Sequence, residues 1–210
     1  AQKYAENRLI NHSFENYLTS WDYSSGKVST DTSKHHLGAK SEKLNPEGLV
    51  SQKVSKSPSY TYYTSSVYAM GSSDSSRIRL SIYFYDANGN YIEGSSKYTE
   101  QDLVGGKWER KQFTFTLADG ASSFRVRYVN CGTDNIWIDC AQLENGAAMS
   151  AYNLVQNGGF EDTSSTVWEA FNCTTDDKYY TGGTYGRHFY MKGEGSKDKR
   201  LIQKIYINRP

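Results

Sequence analysis

Three stretches of this sequence set aromatic rings and planar hydrogen-bonding groups two residues apart. RIRLSIYFYD, starting at Arg77, carries Arg79, Tyr83 and Tyr85; WERKQFTFTL carries Trp108, Arg110 and Gln112; SSFRVRYVN carries Arg125 and Arg127. A spacing of two places such residues on one face of a strand. The chemistry of the set is that of a polyhydroxylated ligand such as a sugar. Tyr and Trp present flat faces to C–H surfaces, while guanidinium and amide groups hold hydroxyls in fixed directions. The dense arginines add a leaning toward an acidic glycan. The same residues also suit an exposed sheet with no ligand, where Tyr and Arg form cross-strand pairs. The pattern does not say which of these strands share a sheet.

Catalytic chemistry finds less support. The four histidines are His12, His35, His36 and His188, and His35-His36 sits in a polar stretch expected to be an exposed loop. No nucleophile elbow, zinc-protease, phosphate-loop or dinucleotide fingerprint occurs. No carboxylate pair is singled out for glycoside hydrolysis. The expected function is therefore non-catalytic.

The elements that must carry these residues are strands. Eighteen Tyr, 18 Gly and only three Pro favour strands joined by polar turns. Ile78, Leu80, Ile82 and Phe84 alternate with the outward set, as do Phe113, Phe115 and Leu117, and Phe124, Val126 and Tyr128. Asn88-Gly89 predicts a hairpin turn, CGTDN (131–135) a further turn, and IWIDCAQLE a last strand. LVSQKV and YTYYTSSVYAM read as earlier strands. Trp21 and Trp137 are expected in the core. Cys131, Cys140 and Cys173 fit no zinc spacing and are expected as free thiols. The expected fold is an all-β sandwich or jelly roll.

The chain also repeats itself. NRLINHSFE at Asn7 returns as NLVQNGGFE at Asn153, with Asn11, Phe14 and Glu15 matching Asn157, Phe160 and Glu161. Trp21 matches Trp168, KSEKL matches RHFYM, and LVSQKV matches RLIQKI with Gln52 against Gln203. The match predicts a complete module over 1–150 and the N-terminal part of a second over 151–210, with a linker near 147–152. A third of a sandwich has open edges, so the partial copy is expected to lean on a neighbouring module or another chain. The net charge of +1 gives no reason to expect nucleic acid, and no apolar run is long enough for a membrane helix. No signal peptide is recognisable, so any export signal is expected outside this segment.

The order of these signals resembles the carbohydrate-binding modules of families 4, 9, 16 and 22. They run from the N-x-x-x-N-x-x-F-E opening and a Trp, through the Ser/Lys/Leu strand, TYYTSSVY and the Asn-Gly turn, to the closing IWIDCAQLE. The resemblance implies a galactose-binding-like jelly roll that binds a polysaccharide or cell-wall glycan. It also implies a secreted or cell-surface setting, of the kind seen in tandem arrays of bacterial wall-associated proteins. A structural calcium often joins first and last strands in that family, which implies Glu15 and Asp139 as ligands, with carbonyls from Ser13 and Lys40. The alternative is a structural or adhesive spacer without a sugar site.

Overall fold

The computed structural model describes residues 7–151, 155, 168–172, 174–176, 188–190 and 200–203. The strands of the first 150 residues are β1 (Asp22–Tyr23), β2 (Val28–Asp31), β3 (Ser41–Leu44), β4 (Leu49–Ser55), β5 (Tyr62–Gly71), β6 (Arg77–Tyr85), β7 (Lys97–Asp102), β8 (Glu109–Thr116), β9 (Ser123–Asn130) and β10 (Ile136–Asn145). Four short strands follow: β11 (Glu169–Phe171), β12 (Thr174–Asp176), β13 (His188–Tyr190) and β14 (Arg200–Ile202). No α-helix occurs among the described residues.

Two five-stranded antiparallel sheets face each other as a jelly-roll sandwich. The first has the order β1-β4-β9-β6-β7, the second β2-β3-β10-β5-β8. The inward residues expected from alternation fill the core: Ile78, Ile82, Phe84, Phe124 and Tyr128 are fully buried, with Phe115 edge-on to Phe124 at 5.3 Å. Phe113 and Leu117 pack at its margin. Trp21 lies in this core, whereas Trp137 is buried on the outer side of its sheet, beneath Lys34 and hydrogen-bonded to Asp31.

Two turn expectations change in detail. Asn88-Gly89 does turn the chain, with Gly89 at φ +85° and Asp86 bonded to Asn90. The returning strand is β7, a polar edge that its sequence, KYTEQD, does not advertise. The 131–135 turn is not a hairpin, because β9 and β10 belong to opposite sheets. Cys131 and Cys140 are free thiols, and Cys173 lies outside the described residues.

The opening nonapeptide builds scaffold. The Asn7 amide spans Ala141 and Leu143 on β10, and the Asn11 side chain ties Asn16, Tyr17 and Thr19 into one loop. Phe14 is fully buried. Gln52 bonds both the amide and the carbonyl of Ile10. Among the described residues later in the chain, Glu169 pairs Ile202 and Thr175 pairs Phe189. NLVQNGGFE itself lies almost wholly outside the described residues.

Candidate functional site

The eight outward residues divide between two faces. Arg79, Tyr83 and Tyr85 on β6, with Arg125 and Arg127 on β9, share the outer face of the first sheet. Trp108, Arg110 and Gln112, at and on β8, belong to the second. These two groups are therefore on opposite sides of the molecule.

On the first face the strand register pairs unlike charges. Arg77 stands opposite Asp102, and Arg79 opposite Glu100. Arg77 Nε reaches Asp102 at 2.9 Å, and Arg79 Nε donates to Glu100 at 2.8 Å. That hydrogen bond holds the Glu100 carboxyl below its ordinary range. Arg125 is bound to Asp22 and to the Ser51 hydroxyl. Arg127 lies 3.9 Å over the Tyr83 ring, which leans on Tyr91. Each arginine thus already has a partner within the face.

The second face is built differently. Tyr68 on β5 stands between Asp139 on β10 and Arg110 on β8. The His36 ring stacks on Tyr68 at 3.8 Å and tilts against Trp108 at 5.8 Å. His36 is thus half-buried rather than an exposed loop residue, and burial lowers its pKa, favouring the neutral ring that stacks without charge. An open depression of about 400 Å³ beside Trp108 is lined by Lys34, His35 and Met70 among others. Next to this platform lies a polar patch: Arg110, Gln112, Ser66, Gln142 and Glu144. Gln142 and Glu144 reach this face because a β-bulge between Asp139 and Gln142, with Cys140 at φ +51°, adds one residue to β10. Ala141 and Leu143 then turn inward, and Gln142 and Glu144 outward. Alternation read along the sequence misses the pair, since the bulge shifts the phase.

The implied calcium ligands meet at one loop. Glu15 accepts from the Ala39 and Lys40 amides, and Asp139 accepts from His36, Leu37 and Cys140. Gly38 is required between them: at φ +77°, a Cβ there would lie 2.1 Å from Glu15 Oε1. Ser13 precedes this Glu in the same loop, and the Lys40 ammonium donates to the Glu15 carbonyl at 2.6 Å. Burial pushes Asp139 up to about 7 and, with the Asp139 charge adding to it, Glu42 up to about 7 as well. The Glu42 Oε2 is buried with no hydrogen-bond partner among the described residues. The carboxylates and carbonyls of this loop are oxygen donors of the kind a hard cation takes, and they are held by backbone amides with the Lys40 ammonium close by. Among the described residues no three His, Cys, Asp or Glu side chains gather as a ready-made metal cluster, so carbonyls would supply the remaining ligands.

The family model described as "Carbohydrate binding domain" matches residues 6–134. Among solved structures, the CBM22-1 xylan-binding domain from Paenibacillus barcinonensis Xyn10C aligns at TM-score 0.53 and 19% identity, covering 71% of this chain and all of that one. The CBM22-1-CBM22-2 tandem domain of the same protein aligns at 0.51 and 19%, covering 90% of this chain and 61% of that one. The enzymatically active domain of Bacteriophage CBA120 tailspike protein 4 aligns at 0.52 and 17%, covering 67% of this chain. This chain spans about a fifth of that tailspike domain. At these identities the likeness is one of fold. Nothing among curated proteins matches the chain.

Proposed function

The chain belongs to the carbohydrate-binding domain family, and from that premise we propose a non-catalytic module that binds a polysaccharide on the outer face of the second sheet. One observation carries the choice of face. Only there, among the described residues, does a ring platform (Tyr68, His36, Trp108) adjoin a patch of Arg, Gln and Glu that no opposite charge within the sheet neutralises. The ring faces take the apolar side of a sugar, and Arg110 and Gln112 take its hydroxyls. Arg79, Tyr83, Tyr85, Arg125 and Arg127 then serve the first sheet rather than the ligand.

The setting is secreted or cell-surface, with residues 151–210 beginning a second module in the same array. Tandem copies raise avidity by holding a second site near the same polymer. Glu15, Asp139 and the carbonyls of Ser13 and Lys40 would hold a structural calcium, which would supply a fixed positive charge between the first loop and β10. The competing reading is a spacer without a sugar site, favoured by the first face, where side chains satisfy one another.

The test is a glycan array of plant, host and bacterial polysaccharides, probed with the whole chain and with Trp108→Ala and Tyr83→Ala. Binding that is lost in the first variant and kept in the second supports the assignment. No binding to any glycan leaves the spacer.

A further inference from the structure

The polar patch of the second sheet is occupied by the chain itself. After β10 ends at Asn145, Gly146 turns at φ +116° and is fixed at both ends. Its amide donates to the Tyr62 carbonyl at 2.8 Å, and its carbonyl accepts from Thr64 at 3.0 Å. The next five residues double back over the sheet. The Ser150 amide then donates to both Glu144 oxygens, at 3.2 and 3.0 Å, and its hydroxyl donates to the same carboxylate. Its carbonyl accepts from Arg110 at 2.6 Å, and its hydroxyl oxygen from the Gln142 amide at 3.3 Å.

These contacts have an uncommon balance. Gln142 and Glu144 point away from the core, yet they are 0% and 3% exposed. Ala147, Ala148, Met149 and Ala151 are exposed, so the segment brings little apolar surface to the sheet. It is held chiefly through one serine. Net hydrogen bonds of this kind are individually weak, and stronger where a charge takes part. Arg110 Nε remains buried without a hydrogen-bond partner among the described residues, so this occupant leaves part of the patch unsatisfied. A hydroxyl, an acceptor and a donor, presented together to Arg, Gln and Glu, are also what a sugar ring presents.

We infer that residues 146–151 form a strap that occupies the polar half of the glycan face, and that a polysaccharide binds by displacing it. This rests on the assignment of the second sheet as the binding face. It adds Gln142 and Glu144 to that face and makes the inter-module segment a regulator of it. Affinity is then reduced by the fraction of time the strap is seated. Anything that draws residues 146–151 away, including tension along the array, raises it.

The experiment is native electrophoresis of the whole chain through gels containing soluble xylan, mixed-linkage β-glucan or galactomannan, comparing wild type with Ser150→Pro. Proline removes both the amide and the hydroxyl donated to Glu144. The expected result is a dissociation constant lowered about fivefold in Ser150→Pro. In wild type, hydrogen exchange at the Ser150 amide should also speed up on adding the retarding polysaccharide. Retardation of wild type with a constant unchanged within about twofold, or weakened, in Ser150→Pro overturns the strap and leaves the binding face standing. Retardation of neither chain by any polymer overturns the binding face and the strap with it. Retardation of Ser150→Pro alone supports both.

Discussion

The two outer faces of this sandwich start from similar residues and end in opposite electrostatic states. On the first, β6 and β9 set Arg77, Arg79 and Arg125 against Asp102 and Glu100 of β7 and Asp22 of β1, in solvent. On the second sheet two carboxylates are buried, Asp139 toward the outer face and Glu42 toward the core. Asp139 accepts from three backbone amides, and Glu42 keeps one oxygen without a hydrogen-bond partner among the described residues. The pKa directions follow: Glu100 is pulled down by Arg79, while burial pushes Asp139 and Glu42 up to about 7. Arginine and tyrosine in a strand pattern therefore do not identify a binding face. What distinguishes the second face is a ring platform beside polar groups that the chain covers through Ser150 rather than through ion pairs of the sheet.

The largest expected effect is on binding. Trp108→Ala and Tyr68→Ala each remove one wall of the stack around His36. Each should weaken glycan affinity about 30-fold, roughly 2 kcal/mol, measured by isothermal titration with the polymer that the array identifies. Tyr83→Ala and Arg127→Ala should change it less than about twofold. An equal loss from both pairs would erase the distinction between the faces.

The next effect is on stability, and its sign separates the sheets. A raised carboxyl pKa gives stability that is present below the unfolded value, near 4, and lost as pH rises through about 7. A lowered one, as at Glu100, gives stability present above the unfolded value and lost on acidification. His12, buried and lowered to about 4, also loses stability on acidification, so the wild-type curve mixes both signs. Comparing Glu42→Gln with wild type isolates the second sheet. In excess chelator the variant should gain on the order of 2 kcal/mol at pH 8 and little at pH 5, read from urea midpoints. A gain that is flat with pH would remove the uncompensated charge from the account.

Calcium sharpens the same contrast with a smaller shift. Added calcium should raise the wild-type unfolding midpoint at pH 8 by several degrees, as expected for about 1–2 kcal/mol in a domain of this size, and Asp139→Asn should abolish the rise. The gain from Glu42→Gln should shrink in calcium, because the ion offsets the charge that the variant removes. An unchanged wild-type midpoint would remove the ion site. Arg79→Ala should leave the calcium response intact, since its carboxylate lies on the other sheet.

Much of the first face was legible in the sequence, and much of the second was not. Ile78 to Phe84 and Phe124 to Tyr128 alternate without interruption, so their outward partners follow at once. Tyr68 sits in YTYYTSSVYAM, where Tyr63 points inward and Tyr68 outward and the aromatic run hides the phase. Gln142 and Glu144 lie beyond the bulge. His36 comes to the platform only through Asp139, 103 residues away. β7 was missed because an edge strand flanked by solvent needs no apolar alternation. The platform is thus long-range and irregular, whereas the pattern that sequence exposes is short-range and regular.

The smallest effect tests whether the first face is as self-contained as its pairing implies. Arg79 and Glu100 are directly opposed on β6 and β7, with side chains 41% and 26% exposed. Water and salt screen such a pair, so its contribution is small. A double-mutant cycle of Arg79→Ala and Glu100→Ala should return a small coupling at low salt, shrinking toward zero at high salt. Glycan affinity should be unchanged in all three variants. The Tyr98 ring, 5.1 Å from the Arg79 guanidinium, is present in every variant, so its contact with Arg79 cancels in the cycle. A coupling that persists at high salt would mean a pair shielded from solvent, contrary to its exposure. A loss of affinity in Arg79→Ala would mean that the guanidinium has a ligand besides Glu100. Either result would move the first face toward the second and weaken the rule that a face closed by its own ion pairs does not bind.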